Sequence, residues 1–166
     1  MPGRASAPTV SGHELPPLSI AIPPAPRLVW NTSASAPLGL YWVRPEVPVA
    51  KGDMVIARTP AAVRHLAAAR RYVPANVPLV KRVAGVVGDR VCAAGTLLSV
   101  NGRQVAVRRA ADGQGRAMPW WQGCRTLIEG EYFLLMADVP DSFDGRYFGI
   151  TGNADLVGQA HLLWSR

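Results

Sequence analysis

Leu79-Val80-Lys81-Arg82-Val83-Ala84-Gly85-Val86-Val87-Gly88-Asp89 is a β-branched, apolar run with a lysine near its start and a glycine-aspartate turn at its end. Its composition reads as a strand. A lysine inside such a strand has two readings. It can point outward beside Arg82, as most lysines do, or be buried, where apolar walls disfavour the ammonium form. At a reference pKa of about 10.4, roughly one lysine in 2,500 is neutral at pH 7, and bringing that value to about 8 takes about 3 kcal/mol of lost interaction with the charged form. A lysine depressed in this way can serve as a base.

Upstream, Asn31-Thr32-Ser33-Ala34-Ser35-Ala36-Pro37-Leu38-Gly39-Leu40-Tyr41 brings hydroxyl groups. A serine hydroxyl is a poor nucleophile until a positioned base removes its proton, and Ser-Lys is one such pairing. Thr32 and Ser33 also fit a turn, since both residue types bond to nearby backbone. Downstream lies Asp141-Ser142-Phe143-Asp144-Gly145-Arg146-Tyr147-Phe148-Gly149, in which Asp144-Gly145 by itself marks a hairpin loop over residues 141–145.

Taken in order, Ser33 to Pro37, Val80 to Ala84 with Gly88-Asp89, and Asp141 to Gly149 resemble three successive boxes of the type I signal peptidase family. Pro37 to Tyr41 and the terminal Leu162-Leu163-Trp164 look more like its conjugative-transfer branch, the TraF-type pilin-processing peptidases. The resemblance covers about residues 31–166, and three ordered boxes are far more specific than one motif. It implies that Ser35 is the nucleophile and Lys81 the general base, with the Ser33 hydroxyl and the Ser35 N–H as oxyanion donors. Ser142 would lie beside the lysine amine, and Asp144 and Arg146 would form an ion pair behind the site. It also implies an exported pilin-like precursor as partner, a periplasmic location at the inner membrane, and no cofactor.

Beyond the boxes the pattern is mostly strand. Residues 39–43, 53–57, 79–84, 90–92, 97–100, 104–107, 132–136 and 157–163 are short, β-branched or aromatic, and separated by turn signals. Asn101-Gly102 is a two-residue hairpin signal. Residues 60–71 favour a helix, with Pro60 near its start and Val63, Leu66 and Ala67 on one face. The expectation is a mainly β, signal-peptidase-like complex fold with one short helix and an inserted β-ribbon at about residues 90–130.

At 166 residues the chain can bury one substantial core. Residues 1–29 hold nearly half of the fifteen prolines and read as an extended arm before a peptidase domain over 30–166. Leu18 to Ile22 is cut off by Pro23-Pro24, so no apolar stretch reaches the roughly 18 residues of a membrane span, and no secretory signal is visible. An anchor is therefore not visible, which suggests a shortened chain or delivery by another route. Net charge +7 favours an anionic membrane surface, into which Trp120-Trp121 could dip, though core packing suits those tryptophans equally. Cys92 and Cys124 flank the expected insertion. The exported location implied by the resemblance would let them pair, and two buried thiols are the alternative.

His13, His65 and His161 are scattered without paired spacing, which argues against a zinc peptidase, and Gly113-Gln114-Gly115 is too short for a nucleotide-binding fingerprint. Two other function classes are open. A self-cleaving Ser-Lys regulator would need a cleavage site in the arm, which offers only Pro2-Gly3 and Ser11-Gly12. A non-enzymatic basic module for membrane or nucleic acid would suit a pI of 10.2, but it leaves the three boxes unexplained and has no nucleic-acid-binding signature, so no nucleic-acid partner is expected.

Overall fold

The computed structural model of the protein describes residues 27–45 and 47–165. Most of the proline-rich arm, including Leu18 to Ile22, His13 and both glycine dipeptides, lies outside the described residues. Its expected end at residue 29 is corrected by the first strand, β1 (Leu28–Asn31), which pairs Leu28 with Trp42 and Val29 with Tyr41. The sheet thus claims two residues assigned to the arm.

The architecture is mainly β, as expected. The larger sheet contains β1, β2 (Gly39–Arg44), β3 (Met54–Ala57), β4 (Leu79–Gly85), β9 (Glu131–Leu134), β10 (Thr151–Gly152) and β11 (Leu156–Ser165), in the order β1-β2-β11-β3-β4-β9-β10. All its pairings are antiparallel. In a flat sheet β1 and β4 would stand about 19 Å apart, four spacings of about 4.8 Å. Instead the sheet curls around Tyr41, Val43, Ile56, Val80, Val157 and Ala160, a core drawn from β2, β3, β4 and β11. The curl brings the loop after β1 over β4.

The insertion is a sheet of four strands rather than a ribbon: β5 (Arg90–Ala94), β6 (Leu97–Val100), β7 (Arg103–Val107) and β8 (Gly123–Thr126), in the order β7-β6-β5-β8. Asn101-Gly102 forms the expected tight turn, with Asn101 at φ 53° and Gly102 at φ 78°. Cys92 and Cys124 face each other across β5 and β8 and are joined as a disulfide. Val91, Ala93, Leu98 and Val100 pack against Leu127, Phe133 and Leu135, fastening this sheet to the back of the larger one.

There are two helices among the described residues, not one. The expected helix is α1 (Ala61–Ala69), entered at Pro60 and seated through Ala67 against Phe143 and Tyr147. The second, α2 (Gly145–Phe148), lies where the dipeptide Asp144-Gly145 suggested a simple hairpin. The Asp144 carboxylate accepts the Arg146 N–H at 3.1 Å and so caps a helix start instead of closing a hairpin. No helix among the described residues is long and apolar enough to cross a membrane.

Candidate active site

Lys81 lies on β4 opposite Val55 of β3, with only 2% of its surface exposed. Leu79 and Val80 before it and Val83 after it are buried as well, so the strand carries its lysine into an apolar interior. Burial lowers the Lys81 pKa to about 8, with the Asp144 charge opposing the shift and Arg146 adding to it. Lys81 Nζ is 2.8 Å from Ser35 Oγ and 3.0 Å from Ser142 Oγ. The expected strand, burial and proximity meet at one atom.

Ser35 sits in the connection between β1 and β2. Neighbouring side chains fix that loop tightly. Asn31, at the end of β1, is buried and donates through Nδ2 to the carbonyls of Ser33 (3.0 Å), Ala36 (3.1 Å) and Pro37 (3.0 Å), while its Oδ1 accepts the Ser33 N–H at 3.0 Å. Tyr41 donates its hydroxyl to the Pro37 carbonyl at 2.9 Å. In the sequence Asn31 stands out only as the first residue of the serine-containing run. Its signal was an asparagine at a strand end before a Ser/Thr turn, where a side-chain amide commonly replaces backbone pairing.

Ser33 Oγ accepts the Ser35 N–H at 3.3 Å and lies 3.0 Å from Ser35 Oγ. The two groups expected to share an oxyanion are therefore together, and engaged with one another. A bond of 3.3 Å is long and readily exchanged for a charged acceptor.

Ser142, Asp144 and Arg146 are all essentially inaccessible. Arg146 donates to Asp144 Oδ1 through Nε at 2.8 Å and to Oδ2 through a terminal nitrogen at 3.1 Å, and its remaining donors reach the carbonyls of Pro140 and Met136. Asp144 also accepts the Met136 N–H at 3.0 Å. This fork ties the 136–142 segment to α2 and holds Ser142 against the lysine. Gly145 permits the close approach, since a Cβ there would stand 2.7 Å from the Leu134 carbonyl oxygen and 2.8 Å from the Phe133 ring.

Ser33, Ser35, Lys81 and Ser142 line a cleft of about 780 Å³, walled also by Trp30, Val77, Val139, Phe143 and Tyr147 among others. Its walls are mainly apolar. Trp121 turns inward, packing edge-on to Phe133 and donating its indole N–H to the Gly145 carbonyl at 3.0 Å, while Arg108 lies over the Trp120 ring at 3.7 Å. Of the tryptophan pair, then, the second is core. Among the described residues no group of three His, Cys, Asp or Glu side chains is arranged to hold a metal ion.

Residues 17–165 match the sequence family described as signal peptidase, peptidase S26. A plasmid transfer protein TraF from Escherichia coli is 34% identical over 137 residues, covering 76% of this chain and 77% of its own. A probable conjugal transfer protein TraF from Sinorhizobium fredii (strain NBRC 101917 / NGR234) is 36% identical over 141 residues, covering 78% and 73%. Among solved structures, a signal peptidase I from Enterococcus faecalis V583 aligns with a TM-score of 0.40 at 20% identity, over 68% of this chain and 97% of that one.

Proposed function

Because this chain belongs to the signal peptidase family, peptidase S26, we propose that it is a serine endopeptidase in which Ser35 is the nucleophile and Lys81 the general base. One observation carries the reading: the 2.8 Å approach of Lys81 Nζ to Ser35 Oγ, by a lysine whose pKa burial has drawn down to about 8.

In its neutral form Lys81 accepts the Ser35 proton as Oγ attacks the scissile carbonyl. Negative charge then develops on the carbonyl oxygen, and the Ser35 N–H and Ser33 hydroxyl exchange their mutual contact for that oxygen, each donor contributing about 3 kcal/mol. When the tetrahedral species collapses, the lysine ammonium returns its proton to the departing amine and leaves an acyl-enzyme on Ser35. Ser142 Oγ, 3.0 Å from Lys81 Nζ, steadies the lysine nitrogen beside the nucleophile. Lys81 then deprotonates the incoming acceptor. With water the product is a cut chain, and with a peptide amine it is a head-to-tail ring.

The substrate we propose is an exported pilin-like precursor of a conjugative or type IV secretion system, cut after small residues. The names of the conjugal-transfer relatives favour this assignment. The disulfide suits an oxidising periplasm. An inner-membrane surface suits the outer end of the large sheet, where Leu28, Trp30, Trp42 and Trp164 are exposed, Trp30 and Trp164 touch, and Arg44 lies beside Trp42. Tryptophan and arginine together favour an anionic headgroup layer.

The test is cleavage of a pilin precursor read by mass spectrometry, where a ring is lighter than the cut chain by one water. Ser35→Ala should lose turnover while melting as the wild type does, since a single loop hydroxyl adds little stability. Retained turnover in that variant would end the proposal.

A further inference from the structure

The cleft does not stop at Tyr72. Tyr72, Asp112 and Gly113 wall both the catalytic cleft and a second recess of about 520 Å³, completed by Arg70, Arg71 and Arg116. Asp112 is the one acid in it, and its oxygens are fully used. Oδ1 accepts the backbone N–H groups of Gln114 and Arg116, both at 2.9 Å, and Oδ2 accepts the Tyr72 hydroxyl and Arg116 Nε. Arg116 therefore neutralises Asp112. Two cations remain.

Arg70 gives one N–H to the Ala117 carbonyl at 2.6 Å, and no hydrogen bond or ion pair of the Arg71 side chain occurs among the described residues. Arg71 also sits at φ 60°, in the left-handed position that follows a helix, where glycine is the ordinary residue. A long cation sits there against its backbone preference and without a side-chain partner among the described residues. Such strain points toward a use outside the fold.

We propose that this recess binds a carboxylate of the polypeptide substrate, held by Arg70 and Arg71 while the scissile bond lies at Ser35. The proposal rests on the peptidase reading above. A substrate carboxylate is favoured over a lipid headgroup because the recess is an extension of the cleft itself and shares three of its walls. Two guanidinium groups also suit a planar, bidentate acid.

The experiment uses peptides with small residues before the scissile bond and a single Glu moved along the flanking positions, each with a Gln counterpart. One set has free and one has amidated C-termini, so that side-chain and terminal carboxylates are told apart. Binding to the Ser35→Ala protein is read by fluorescence polarisation, and KM and kcat are read on the active enzyme. In one register the acidic peptide should bind about fivefold better, with kcat unchanged, as expected for partly exposed charge pairs. The preference should shrink in high salt, and it should vanish in R70Q/R71Q. Arg71→Gly relieves the backbone, so it should melt no lower than the wild type and still lose most of the preference. A Glu/Gln ratio near one in every register, or one that survives both variants, overturns the proposal. So does loss of anionic-vesicle binding in R70Q/R71Q with peptide preference intact. Failure of the wild type to cut any peptide would count against the catalytic reading alone, because the binding arm needs no turnover.

Discussion

Lys81 joins reactivity to stability through one equilibrium. Its pKa is about 8 in the folded chain and 10.5 when unperturbed, so between those values the unfolded state binds more protons than the folded state. Unfolding free energy therefore rises with pH across that window, by roughly 3 kcal/mol in full, and below pH 8 the deficit is constant. Lys81→Met removes this titration. It should be inactive, and denaturant titrations from pH 7 to 10.5 should show the wild type gaining stability relative to the variant only above about pH 8. A difference that stays flat with pH would mean that burial does not hold the amine neutral. Wild-type activity should rise toward a plateau as the amine deprotonates, with an apparent pKa near 8. Asn31 acts on the same reaction through geometry. Asn31→Ala removes its three bonds to carbonyls and the one it accepts from the Ser33 N–H in the Ser35 loop, and kcat should fall about 10- to 100-fold, the usual cost of a nucleophile displaced by an ångström. Steady-state kinetics with an unaltered KM would identify that cause.

At the scale of elements, α2 has only four residues and cannot persist on local propensity. The buried fork between Asp144 and Arg146 holds it. Asp144→Ala leaves a buried guanidinium unpaired and should cost about 3–5 kcal/mol in urea unfolding, whereas Asp144→Ala combined with Arg146→Met should recover part of that loss, since the stranded charge is gone. A double variant less stable than Asp144→Ala alone would contradict this account. The same dependence on distant partners explains what the sequence could and could not reveal. β4 was readable because Leu79, Val80 and Val83 are all buried, and the β6-β7 hairpin because Asn101-Gly102 demands a tight turn. β8 was not: Gly123, Cys124, Arg125 and Thr126 are all exposed, with no apolar alternation, and are held by the ladder and disulfide to β5. Likewise α2 read as a turn, since its ion pair gains strength only once Met136 and Pro140 close over it. The Ser35, Lys81 and Ser142 constellation was legible through resemblance, while Asn31, which works through backbone carbonyls, left almost no compositional trace.

Across the whole molecule, the small sheet is braced within itself and riveted to α2. Internally, the Cys92–Cys124 link closes a separation of 32 residues, and reduction should cost about 3–4 kcal/mol in chain entropy. Thermal melts with and without reductant measure it, and an unchanged midpoint would show that the ladder alone sets the sheet's stability. The rivet is Arg108, 1% exposed, which donates to the Gly95 carbonyl in the small sheet, to the Trp121 carbonyl and, at 3.2 Å, to the Arg146 carbonyl of α2. Burial lowers its pKa, yet an arginine remains protonated throughout the range in which proteins work. Its hydrogen-bond acceptors are all backbone carbonyls and its ring contact is Trp120, none of which gains or loses a proton. The hydrogen bonds that join the small sheet to α2 thus involve no acceptor that titrates, while the lysine in front of them responds to acidity steeply. A change of pH throttles the chemistry and leaves this joint where it was.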